Sequence, residues 1–78
     1  MKTTEVNNSI IGKRCEAIFT GMMVTGTIED IKIDKHTASV KVRFDKPCQW
    51  GDYLYESNWS FARLHDEFGS LKYLKIIE

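Results

Sequence analysis

Ala38, Val40, Val42 and Phe44 alternate without a break with Ser39, Lys41 and Arg43. Side chains of an extended chain point to opposite faces in turn, so this segment is a strand with one dry face and one wet face. A strand needs a partner. The stretch before it, Met23 to Ile33, is rich in Val, Thr and Ile, which suit a pleated sheet. Between them, Asp34-Lys35-His36-Thr37 reads as a polar turn. The two segments predict a hairpin. Its first strand is not regular: the apolar phase runs Val24, Gly26, Ile28 and then jumps to Ile31 and Ile33. One extra residue near Glu29-Asp30 accounts for the jump, as a β-bulge does, bending and twisting the strand that carries it. Gly26 leaves room for another backbone to come close.

The rest of the chain adds strands around that hairpin. Cys15, Ala17 and Phe19 alternate with Arg14, Glu16 and Ile18, and Thr20-Gly21-Met22 follows as a turn. Pro47 and Gly51 interrupt the pattern, which predicts a loop over 45–52. Tyr53 to Glu56 is a short strand or part of that loop. Trp59, Phe61 and Arg63 alternate as a strand, whereas Phe61, Leu64, His65 and Phe68 have helical spacing. We favour the strand, followed by a tight turn over His65 to Gly69 in which Asp66 bonds to the backbone. Phe68 then either caps the end of the fold or stands out as an anchor. Leu71 to Ile77 closes the chain as a last strand. Residues 1–9 are polar and without period, and are expected to form a flexible arm ahead of a single domain over 10–78. Five short strands in 78 residues predict an all-β fold, antiparallel, closed into a small barrel that removes its edges.

Three segments carry a family resemblance. They are Ile11-Gly12-Lys13-Arg14-Cys15-Glu16-Ala17, Gly26-Thr27-Ile28-Glu29 and Val40-Lys41-Val42-Arg43-Phe44-Asp45. Together they resemble the opening of a Tudor-type SH3-like barrel. The resemblance implies five strands, with Leu71 to Ile77 as the closing one. It also implies an aromatic site for a methylated Lys or Arg, with Phe19 at one of its positions. The stretch from Pro47 to Phe68 lies outside the resemblance.

Two groups of residues could carry a binding function. Trp50, Tyr53, Tyr55, Trp59 and Phe61 crowd into twelve residues, beside Asp52 and Glu56. Aromatic faces attract cations and line peptide grooves. They also fill small cores, for which Phe44, Phe61 and one Trp are candidates. The surface expected to meet a protein or peptide partner is Phe19, Trp50, Asp52, Tyr53, Tyr55 and Trp59. The second group is basic. Residues 31–46 hold Lys32, Lys35, Lys41, Arg43 and Lys46 against Asp34 and Asp45. Residues 47–70 hold only Arg63 against Asp52, Glu56, Asp66 and Glu67. Lys41 and Arg43 share the wet face of their strand, and Lys32 can join them from the next one. With Lys46 they form the alternative, a nucleic-acid surface that tracks phosphates. A third reading is a small self-assembling structural protein, because an exposed sheet edge can pair with a second copy.

Catalysis is not expected. His65, Asp66 and Glu67 are consecutive, so their side chains diverge. Cys15 sits on an inward face with no partner signature around it. Cys15, His36, Cys48 and His65 lack the paired short spacing of a metal site, and no glycine loop cradles a phosphate, so no metal or cofactor is expected. The apolar runs are too short for a membrane helix. Two cysteines outside any C-x-x-C pair, with no signal peptide, suggest a cytoplasmic protein, monomeric or homodimeric.

Overall fold

The computed structural model describes residues 1–65 and 69–77. The chain is all-β: five antiparallel strands form one sheet in the order β4-β3-β2-β1-β5. The strands are β1 (Arg14–Phe19), β2 (Met22–Ile33), β3 (Thr37–Trp50), β4 (Tyr53–Arg63) and β5 (Lys75–Ile76). Among the described residues no helix is long and apolar enough to cross a membrane.

The alternation along β3 fixes where the core lies. Ala38, Val40, Val42 and Phe44 are buried, as are Cys15, Ala17 and Phe19 from β1 and Ile28 from β2. The predicted bulge is present: the β2–β3 register shifts between Ile28 and Asp30, so Glu29 is the extra residue. Ile31 returns to the core side beyond it. The Asp34 turn also forms. Asp34 Oδ1 accepts hydrogen bonds from the backbone N–H groups of His36 and Thr37, both at 2.8 Å. Thr20 and Gly21 both take positive φ, 51° and 82°, as the two central residues of a tight hairpin turn.

Three expectations need correction. Residues 45–52 are not a loop. β3 runs on to Trp50, and β4 begins at Tyr53 after a two-residue turn with Gly51 at φ 61°. Pro47 is tolerated because it lies in a register gap. Between the pairs Arg43↔Ser57 and Cys48↔Tyr55, residues 44–47 of β3 oppose Glu56 alone. There the missing proline N–H costs no ladder bond. Second, residues 1–9, read as a loose arm, are packed. Thr3 and Val6 are buried, and the N-terminal ammonium donates to Leu71 O at 3.1 Å and Leu74 O at 2.6 Å. Third, Leu71 to Ile77 is mostly not strand. Ser70–Tyr73 is a 3-10 turn that buries Leu71, and only Lys75–Ile76 pairs with β1. The all-β, antiparallel part of the fold expectation holds, with the five strands in one sheet of open order. Of the two readings of 59–63, the strand is the one present. The turn expected over His65 to Gly69, with Asp66, Glu67 and Phe68, falls on residues 66–68, outside the described residues.

Gly26 is where two strands press together. A Cβ built there would collide with the Arg43 carbonyl oxygen and lie 2.8 Å from Val42 Cγ1. A backbone carbonyl in a paired strand cannot step aside, so Gly26→Ala is expected to cost about 1–3 kcal/mol. In a domain of this size that lowers the thermal midpoint by roughly 5–20 °C. A circular-dichroism melt unchanged from the parent would show that β2 and β3 do not approach this closely.

Candidate functional site

The β1–β2 and β3–β4 turns emerge from the same end of the sheet, because antiparallel connections alternate ends. The expected aromatic surface gathers there, but not as a flat group. Phe19 is buried and forms its floor, with its ring 5.1 Å from Phe44 and 5.3 Å from Tyr55. Tyr55 is half-buried and carries Tyr53 at 6.3 Å. Trp50 faces Tyr53 across the hairpin in register. Asp52 is exposed in the turn between them. Trp50 and Tyr53 are 59% and 71% exposed, so the rings run from core to solvent in sequence: Phe44, Phe19, Tyr55, Tyr53. Exposed Met22, Met23 and Leu54 adjoin in the same two hairpins. Phe19 therefore supports this surface rather than lying on it.

Trp59 does not belong to the group. Tyr53, Tyr55, Trp59 and Phe61 share one parity, and a regular strand would put them on one face. Yet Tyr55 packs on the core, while farther along it is Ser60 and Ala62 that are buried. The inward phase of β4 changes between Tyr55 and Asn58, opposite the register gap in β3. Trp59 and Phe61 consequently emerge on the outer face, and neither they nor Trp50 fills the core; Phe44 does.

The basic residues also separate. Lys41 and Arg43 lie on the outer face as expected, and both are engaged by Glu29, the bulge residue. Arg43 Nε donates to Glu29 Oε1 at 2.9 Å, and Lys41 Nζ is 3.5 Å from Oε2. Lys32 is exposed on the same face, opposite Ser39. Lys46 is elsewhere. It lines a shallow groove with Met23, Val24, Thr25, Asp45, Pro47 and Cys48. Beside that groove, Arg14 binds Asp45 through two parallel contacts, 2.5 and 2.6 Å, and Thr25 Oγ1 donates to Asp45 at 2.8 Å. Sequence reading missed Arg14 and Asp45 as partners, since 31 residues separate them.

Over residues 1–76 the chain matches the family described as Domain of unknown function (DUF7258). The chain belongs to that family. No curated protein and no solved structure matches it. The matched span includes the packed segment 1–9 as well as all five strands of this family member.

The titratable groups have structural explanations. Burial pushes the Cys15 thiol up to about 11, so it stays protonated at neutral pH. Among the described residues no group of three or more His, Cys, Asp or Glu could hold a metal ion. The Arg14 guanidinium, helped by Thr25, holds the Asp45 carboxyl down at about 2. Arg43, with Lys41 beside it, lowers Glu29, and the backbone N–H of His36 leads those that lower Asp34. A carboxyl whose folded pKa lies below its unfolded value of about 4 adds stability above that value and loses it as pH falls. The thermal midpoint of this domain should therefore fall between about pH 4 and pH 2. Asp45→Asn should make that fall shallower, measured by melts across the range. An acid profile that ignores the substitution would mean the Arg14–Asp45 pair does not persist in solution.

Proposed function

We propose that this DUF7258 domain is a noncatalytic recognition module, an SH3-like barrel of Tudor-related type, that binds a protein or peptide partner through its aromatic hairpin end. The strand order supports the barrel. β5 joins β1, a long bent β2 spans the middle, and a 3-10 turn precedes the last strand. That turn packs against both β1 and β4, which draws the two ends of the sheet toward each other. Ser70 Oγ accepts from the Phe61 N–H at 3.1 Å, on the free side of β4.

The observation that carries the binding reading is the ring series at the hairpin end. Trp50 and Tyr53 stand in solvent on a foundation, Tyr55 and Phe19, that is tied to the core. Rigid aromatic anchors of this kind lose little conformational entropy on binding and commonly dominate a contact. The hairpin itself is closed by paired strands, so the surface is held in shape before a partner arrives. Two unpaired cysteines suit a reducing compartment such as the cytoplasm.

The test is capture of a partner from nuclease-treated lysate of the source cell, with the parent protein and the variants Trp50→Ala and Tyr53→Ala. Each variant should lose captured partner by at least about tenfold, the scale of an interface hot spot. Each should melt within a few degrees of the parent, because both side chains are exposed. A variant that unfolds, or capture that ignores both changes, would remove this surface from the account. Self-association abolished by the same changes would favour the self-assembling reading.

A further inference from the structure

A second surface lies on the outer face of the sheet, away from the ring series. Register places its residues in rungs, and cross-strand partners share a face. One rung is Lys32, Ser39 and Phe61; the next is Asp30, Lys41 and Trp59; the third is Thr27, Arg43 and Ser57. Arg63 lies opposite Thr37, just beyond Phe61. Trp59 and Phe61 are thus consecutive outward residues of β4, about 7 Å apart along the strand. They are 38% and 51% exposed. Lys32 stands two strands away, roughly 10 Å across the sheet.

The charges on this face are sorted. Glu29 engages Lys41 and Arg43 at one end. Asp30 Oδ1 accepts from the Ile31 N–H, turned to its own strand. Among the described residues, Lys32 and Arg63 have no ion-pair partner, and Lys35 in the adjoining turn has none either. Among the described residues, the exposed rings of Trp59 and Phe61 therefore lie beside two cations without an ion-pair partner, Lys32 and Arg63, with Asp30 on the Trp59 rung. Lysine is depleted at the centre of protein–protein contacts. Successive aromatic rings beside cations are instead what stacks unpaired bases and follows a phosphate chain. A duplex keeps its base faces stacked away from such rings.

We propose that this face binds single-stranded nucleic acid. Trp59 and Phe61 each stack one base, and Lys32 and Arg63 meet the phosphates. The site is separate from the hairpin end and uses different residues, so either stands if the other fails.

Fluorescence anisotropy of labelled twelve-nucleotide oligo(dT) and oligo(U), with the full chain at low salt, tests it. Single strands should bind at least tenfold more tightly than a duplex of equal length. Trp59→Ala and Phe61→Ala should each weaken binding roughly 5- to 100-fold. Trp59→Phe, which keeps a ring, should restore most of the loss and controls for folding. Replacing Lys32 and Arg63 together by Gln should reduce the log–log salt slope by about 1.4. Lys72→Gln, on the 3-10 turn, should leave it unchanged. In a Trp50→Phe background, the remaining indole, Trp59, should be quenched by the oligonucleotide. No binding, equal affinity for duplex, or binding indifferent to both rings would overturn the proposal. So would a dimer in sedimentation that Trp59→Ala dissolves, because a second copy would then cover these rings.

Discussion

The core of this domain is laid against the inward face of β3. Ala38, Val40, Val42 and Phe44 are almost wholly removed from water, and β3 pairs with β2 on one side and β4 on the other. Two register shifts interrupt the pairing of that sheet, and each one bends it. Each bend changes which residues face in. The Glu29 bulge does this for β2, and the register gap at 44–47 does it for the end of the β3–β4 hairpin. Gly26 approaches Arg43 and Val42 closely just ahead of the first bend.

The second bend has the larger effect on the surface. It turns Tyr53 and Tyr55 toward Phe19 and leaves Trp59 and Phe61 on the opposite face. A single cluster in the sequence becomes two surfaces of different character. One is a graded series of rings rising from the core, with no ionic pairs among them. The other is a pair of rings on a face that carries Lys32 and Arg63 together with Glu29 and Asp30. Ionic pairs lie beside the Lys46 groove, at Arg14–Asp45, and on the outer face, where Glu29 engages Lys41 and Arg43. Those pairs are exposed, so their contribution to stability is modest, but they hold the bulge and the groove beside Lys46 in register.

Much of the fold was legible where a local pattern determines local structure. The jump from Ile28 to Ile31 revealed the bulge, and Asp34 to Thr37 revealed its turn. The inward set Cys15, Ala17 and Phe19 was readable from alternation alone. Legibility failed where distant residues decide. Pro47 and Gly51 look like loop punctuation, but a strand can pass a proline inside a register gap. The segment that buries Thr3 and Val6 is tied down where the Met1 ammonium donates to Leu71 O and Leu74 O, a contact spanning the chain. Leu71 and Leu74 themselves carried a usable signal, since a spacing of three suits a 3-10 turn better than a strand. The aromatic surface was legible in composition and not in direction. Parity across 53–61 promised one face, and only the β3 register shows where the phase changes.

The phase change in β4 is thus the claim on which both surfaces depend. Proton–proton Overhauser contacts measured by NMR address it directly. The Tyr55 ring should show contacts to the Phe19 ring, and Trp59 should show contacts to the Lys41 side chain, with none from Phe61 to the methyl groups of Val40 or Val42. Contacts from Trp59 or Phe61 to those valine methyls, with Tyr55 free of Phe19, would mean that β4 keeps a single phase and that the two surfaces are one.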